Sequence, residues 1–132
     1  MDVARHWRQQ GAYYRLEGVR CEGCQMAIFP PRDVCPSCQS ETLAPHRFAG
    51  RGVIHSHARV FNPPDGFEAQ APYDVALVRL DEGPLVTARL TDFADDEVRI
   101  GAPVEAVTRR LDADGPEGVI RYAYAFRPRL DA

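Results

Sequence analysis

Cys21-Glu22-Gly23-Cys24 and Cys35-Pro36-Ser37-Cys38, with ten residues between them, decide how the first third of this chain folds. A Cys-x2-Cys turn aims two thiolates at one point, and two such turns complete a tetrahedral four-sulfur cage. Gly23 inside the first pair and Pro36 and Ser37 inside the second suit tight turns. Between the pairs, Ile28-Phe29-Pro30-Pro31-Arg32 is expected to form a short strand ending in a stiff bend, the hairpin arm of a zinc ribbon. Two disulfides in a secreted protein are the weaker reading, because neighbouring Cys-x2-Cys pairs close short loops and make poor staples. A redox pair needs one motif only, at a helix start within a βαβ pattern that the sequence lacks. Cys21, Cys24, Cys35 and Cys38 are therefore expected to hold a metal ion, zinc ahead of iron, in a closed structural site without an open position for water. Nearby His46 enters that shell only if a cysteine leaves it.

Outward from the cysteines, the remaining composition bounds the chain. Its 132 residues suffice for one compact domain plus a small appendage, not for two full domains. Hydrophobic residues at 45% and charged residues at 27% exclude wholesale disorder. No apolar run approaches the ~20 residues of a membrane span, and Met1 to Arg8 carry charge without an apolar stretch, so no secretory leader is expected and the chain reads as cytoplasmic. Every basic residue is Arg, which excludes Schiff-base and P-loop lysine chemistry. A GC-rich genome explains that bias as readily as does the suitability of Arg for bidentate phosphate and carboxylate contacts.

Val3 to about Gln10 is expected to be helical, with Asp2 as N-cap and Gly11 as stop. Tyr13 to Gly18 alternates and then turns into the ribbon. From Gly50 onward the period is two, and five strands are expected: Gly52–Phe61, Tyr73–Leu80, Leu85–Thr91, Val104–Arg110 and Val119–Phe126. The nearly continuous apolar run Val75 to Leu80 suggests a strand buried on both faces. Asp81-Glu82-Gly83-Pro84 reads as a hairpin turn, Asn62–Pro72 as a longer loop, and acidic Asp92–Gly101 as a connection holding one helical turn. The fold class is mainly β: an N-terminal helical segment (residues 1–18), a rubredoxin-like zinc ribbon (19–45), and a five-stranded OB-fold barrel with a C-terminal tail (46–132).

Several segments in this order resemble a known family. They are Arg5-His6-Trp7-Arg8, Tyr14 to Gly18, Phe29-Pro30-Pro31-Arg32-x2-Cys35-Pro36-x-Cys38, Ala71-Pro72-Tyr73 running into Ala76-Leu77-Val78, and Ile100-Gly101-x-Pro103-Val104. Together they look like the rubredoxin-like zinc ribbon plus OB-fold proteins associated with acyl-CoA metabolism. The resemblance implies a chain without chemistry of its own that complexes with a thiolase-like enzyme, a thiolase or a retro-aldolase on steroid side chains. It would stabilise that partner or help form its acyl-CoA channel. The four cysteines match the family pattern, which implies structural Zn2+, with a CoA ester bound where the partner meets this chain.

Against that expectation, Arg32, Arg51 and Arg59 are the candidate CoA or partner contacts, and Trp7, Tyr13, Tyr14, Arg127 and Leu130 the candidate partner interface, since aromatics and Arg anchor interfaces. His55 and His57 alternate on one strand but lack a third ligand. Tyr122, Tyr124 and Phe126 alternate on the last strand and are expected to face the barrel interior. Phe126-Arg127-Pro128-Arg129-Leu130 reads as a tail. The alternative reading is an OB-fold nucleic-acid or small-ligand binding module; a net charge of −3 argues against nucleic acid. No nucleophile outside the ribbon points to catalysis.

Overall fold

Alternation of apolar and polar residues builds two antiparallel sheets in a computed structural model that describes residues 3–113 and 116–130. In the cysteine-rich segment, β1 (Glu17–Cys21) lies between β2 (Ala27–Ile28) and β3 (Leu43–Arg47). Val19 faces Ile28 across one ladder, and the other runs from Glu17 opposite Arg47 to Cys21 opposite Leu43. The larger sheet contains β4 (Arg51–Val60), β5 (Tyr73–Leu80), β6 (Leu85–Arg89), β7 (Pro103–Ala113) and β8 (Ile120–Pro128), in the order β6-β5-β4-β7-β8. Its outer strands meet where Leu90 bridges Phe126 in parallel and the Thr91 amide donates to the Phe126 carbonyl at 2.9 Å. That contact closes the five strands into the expected OB-type barrel, so neither outer strand is left as a long free edge there.

All five expected strands are present, and single-turn 3-10 helices at Glu68–Gln70 and Asp95–Glu97 occupy the two longer connections. Four local expectations need correction. Gly11 is not a helix stop: α1 (Val3–Arg8) and α2 (Gln10–Arg15) are separate helices, with Gly11 inside the second and Tyr13 and Tyr14 helical rather than extended. The stop is Leu16, left-handed at φ 49°, whose amide donates to the Gly11 carbonyl. That conformation costs a non-glycine residue about 1–2 kcal/mol, which burial of the Leu16 side chain in the core offsets. The expected N-cap, Asp2, lies outside the described residues.

β5 is not buried on both faces. Ala76, Val78 and Leu80 point into the barrel while Val75 and Leu77 are half-buried and Arg79 is exposed, because a small barrel covers only one face of its strands. The third expected strand stops at Arg89, leaving Leu90 in the closing bridge and Thr91 beyond it. Phe126 to Pro128 belong to β8 and not to a tail, since Arg127 pairs with Glu105 at 3.3 Å across the β7–β8 ladder. The aromatics of β8 form a gradient: Phe126 is fully buried, Tyr124 partly, and Tyr122 is 42% exposed.

The ribbon and the barrel share one core. Leu16, Ala27 and Phe48 pack in the same apolar cluster as Ile54, Val78, Leu80, Val104 and Phe126. An edge-to-face series of rings crosses the junction, from His46 to Phe48 (4.7 Å), Phe48 to Phe29 (6.0 Å), Phe29 to Tyr124 (5.7 Å) and Tyr124 to Phe126 (6.4 Å). Gly18 must be glycine for this to close, because a Cβ there would strike both the Ile28 carbonyl and the Phe48 ring. Deleting a buried ring of this kind costs ~3–5 kcal/mol.

Tyr124 reports on the junction. Burial, reinforced by Tyr13, pushes its hydroxyl up to about 12, while the hydroxyl reaches the Thr87 carbonyl at 3.4 Å. An unfolded tyrosine ionises near 10. Between those two values the unfolded chain has lost a proton that the folded chain keeps, so folding stability falls as pH rises through this window. We expect Tyr124→Phe to remove from that fall a component on the order of 2 kcal/mol, read as urea midpoints of both proteins between pH 10 and 12. Parallel pH profiles for the two would contradict a buried Tyr124.

Candidate metal centre and adjoining cleft

The two cysteine turns repeat one geometry. After Cys21, at the end of β1, the chain reverses through Gln25, left-handed at φ 64°, and the Gln25 amide donates to the Cys21 carbonyl at 2.9 Å. After Cys35 it reverses through Gln39, also at φ 64°, and the Gln39 amide donates to the Cys35 carbonyl at 2.9 Å. Such turns aim backbone N–H groups at sulfur. The amide of Cys24, with that of Gly23, outweighs desolvation and holds the Cys21 thiol down at about 6. The amides of Cys38 and Ser37 lower Cys35 in the same way. At Cys38 the Ser40 amide favours the thiolate, but the neighbouring sulfurs prevail and push the thiol up to about 12.

These opposed shifts have one cause: four sulfurs occupy a space that suits a cation. Cys21 and Cys38 lie 3.4 Å apart at Sγ, Cys24 and Cys35 3.6 Å apart, and all four sulfurs fall within 4.8 Å of one another. Tetrahedral bonds of ~2.3 Å to zinc place sulfurs about 3.8 Å apart, so the cage fits that ion without rearrangement. None of the cysteines is in a disulfide. Cys21 and Cys35 are fully buried beside Ile28, Val19 and Leu43, whereas Cys24 and Cys38 face solvent. Among the described residues this is the one cluster of cysteine, histidine or carboxylate ligands with such geometry.

The histidines stand apart from it. His46 Nε2 lies 3.4 Å from the Glu82 carboxylate and its ring packs on Phe48. His55 and His57 are exposed on β4, with a bulge between Ile54 and Ser56 that breaks the even alternation between them.

A cleft of about 980 Å³ opens where the helices, the ribbon and the barrel meet. Trp7, Tyr13, Phe29, Pro31, Leu85 and Tyr124 supply apolar walls, and Arg5, Arg8 and Arg15 line its helical side. His6 fixes this wall: it is buried, stacks on Tyr13 at 4.9 Å, meets Tyr14 edge-on, and lies 3.3 Å from the Tyr14 hydroxyl. Burial and the nearby Arg121 guanidinium lower its pKa, which favours the neutral ring. Trp7 is left 68% exposed at the cleft rim.

Of the residues singled out from sequence, Trp7 and Tyr13 line the cleft, and His6 joins Tyr14 to them. Arg32, Arg51 and Arg59 do not line it. Arg32 is exposed beyond Pro30-Pro31, Arg51 opens β4, and Arg59 is held by Asp74 at 3.2 Å and Asp95 at 3.1 Å, carboxylates that raise its pKa further. Arg127 is paired with Glu105, whose carboxylate also accepts the Leu130 amide at 3.1 Å, while the Leu130 side chain is 77% exposed. Sequence reasoning did not select Arg5, Arg8, Arg15, Phe29 or Leu85 for the cleft. The Arg5-His6-Trp7-Arg8 quartet was the available signal: basic residues flank an aromatic on a short helix.

Comparison with known proteins matches residues 8–44 to the ChsH2 rubredoxin-like zinc ribbon domain and residues 46–109 to the ChsH2 C-terminal OB-fold domain. A DUF35 domain-containing scaffold protein of Pyrococcus furiosus is 44% identical over 97% of this chain and 93% of its own length. A scaffold protein of the same description from Methanocaldococcus jannaschii is 41% identical over 96% of this chain and 90% of its own length. A probable enoyl-CoA hydratase alpha subunit of Thermomonospora curvata is 37% identical over 94% of this chain but only 37% of its own length. Among solved structures, the Ltp2-ChsH2(DUF35) aldolase superposes with a TM-score of 0.67 at 36% identity, covering 94% of this chain and 89% of the matched one.

The cage makes a direct prediction. Cys21→Ser or Cys38→Ser removes a ligand that the other three cannot replace, so the purified variants are expected to carry far less than one metal ion per chain by elemental analysis and to lose the ribbon fold. Full metal content in either variant would contradict the four-sulfur assignment.

Proposed function

The chain belongs to the ChsH2 family of DUF35 proteins, in which a rubredoxin-like zinc ribbon precedes an OB-fold domain, and on that premise we propose that it is a non-catalytic accessory subunit of a thiolase-like enzyme acting on acyl-CoA. The observation that carries this reading is the similarity, over 94% of the chain, to a solved structure whose description couples ChsH2 to an aldolase. The related enoyl-CoA hydratase alpha subunit supports acyl-CoA metabolism as the setting. Thiolysis or retro-aldol cleavage of a CoA ester, a steroid side chain among the substrates, is the partner's reaction, carried out in the cytoplasm.

Within this reading, residues 19–45 form the zinc-holding unit, residues 46–132 the barrel, and residues 1–18 the partner-facing segment between them. Zinc bound by Cys21, Cys24, Cys35 and Cys38 stabilises the ribbon; four thiolates leave it no position for substrate. Trp7 and Tyr13 then present rigid aromatic area at the rim of a cleft that is too large and open for this chain to fill alone, and such residues anchor interfaces. Arg8 stands on the same wall, placed to meet carboxylates of the partner or the phosphates of a CoA ester at the joint surface, while Arg15 beside it is held by Glu17. Arg32 and Arg51 supply further cationic contacts.

Co-expression with the thiolase-like enzyme encoded beside it is the test. A stoichiometric complex should elute from size exclusion, and the partner's activity should depend on this chain. Trp7→Ala is expected to weaken the complex by about tenfold or more, as loss of an aromatic anchor does. Separate elution with unchanged partner activity would overturn the proposal.

A further inference from the structure

Several arginines of this acidic chain spend the guanidinium on a local carboxylate: Arg15 on Glu17, Arg59 on Asp74 and Asp95, Arg109 on Asp92, Arg121 on Asp112, Arg127 on Glu105. Arg89 and Arg110 do not, and they line the same pocket. It measures about 310 Å³ and lies between the last residue of β6 and the two that follow it (Arg89 to Thr91), the second half of β7 (Arg109 to Leu111) and β8 (Ala123 to Ala125). The Arg89 Nε is buried and lacks a hydrogen-bond partner among the described residues. An unpaired buried N–H on a cation is costly, and an anion is the group that satisfies it.

The geometry suits such a ligand. The Arg89 guanidinium rests over the Tyr73 ring, 4.9 Å from its centroid. Stacking fixes the plane of the fork and leaves its N–H edge for a ligand, an arrangement typical of phosphate recognition. Arg109 adds a third guanidinium, which donates to Asp92 at 2.8 Å and to the Thr108 carbonyl at 3.1 Å. No carboxylate lines the pocket itself. Three guanidiniums against the one carboxylate of Asp92 leave two positive charges, in a chain whose net charge is −3. A phosphate monoester, at about −1.5 to −2 near neutral pH, balances that surplus, whereas a phosphodiester carries a single charge.

We propose that this pocket binds a phosphate monoester, with Arg89 and Arg110 donating to the phosphoryl oxygens and the Tyr73 ring holding Arg89 in place. The site is on the barrel, shares only Tyr124 with the lining of the cleft, and does not depend on the accessory role proposed above. The test is a phosphorus NMR titration of the full chain with phenyl phosphate, inorganic phosphate and dimethyl phosphate at low salt. Saturable binding of phenyl phosphate is expected, with little or none of dimethyl phosphate. Exposed Arg110→Gln should weaken phenyl phosphate by about tenfold or more, and Arg99→Gln, at an exposed position outside the pocket, should leave it unchanged. Arg89→Gln should abolish binding while the urea midpoint stays close to that of the parent protein. Four results would overturn the proposal: no saturable binding, equal binding of dimethyl phosphate, unchanged affinity in Arg110→Gln, or binding of inorganic phosphate alone, which would make the pocket a free-anion site.

Discussion

Four sulfurs held within 4.8 Å of one another cannot all ionise unless a cation sits among them. The backbone nonetheless works toward that state, since amides of both cysteine turns favour the thiolates of Cys21 and Cys35. Apart from the side chains it shares with the barrel core, the ribbon has little of its own to hold it. Its own buried cluster is Cys21, Ile28 and Cys35 with Val19 and Leu43 beside them, and β2 is two residues long. An apolar core that small does not offset the conformational entropy of the loops around it, so a metal ion held by the four sulfurs would supply the missing free energy.

What the cage holds in turn completes the barrel. Leu16 and Ala27 reach the large core from the ribbon side, and Phe48 enters it from the connection to β4. The rings of Phe29, Phe48, Tyr124 and Phe126 transmit this packing across the junction. The short helices are fastened by His6 and the two tyrosines, and seven-residue spacing between His6 and Tyr13 lets the two rings stack. The outcome is a stiff frame from which Trp7 projects. An exposed aromatic on an element already held in place loses less entropy on meeting a partner, and the proposed accessory role would draw on that.

Much of this was legible in the sequence. Cysteine spacing reports geometry directly, because a turn of fixed length sets where two sulfurs point. The barrel strands were legible because one face of each must be apolar, as Ala76, Val78 and Leu80 are. Gly11 misled because its lack of a side chain resembled a stop signal, while the actual stop, Leu16, takes a left-handed conformation that only its burial explains. Arg59 was indistinguishable from Arg89 in sequence; what separates them is Asp95, thirty-six residues away and in contact with the first alone. The cleft was hidden for a similar reason, since residues 5–15, 29–31 and 85–87 meet only after both sheets have formed.

Hydrogen exchange of the intact chain, with its metal and after chelation, tests the central claim most directly. If the four sulfurs and their ion hold the ribbon, chelation should release the amides of Gln25, Cys35 and Gln39, which bond within the cysteine turns. The amides of Ile54, Leu90 and Ala106, which bond within the barrel, should stay protected. Unchanged protection of the ribbon amides on full removal of the metal would contradict the account.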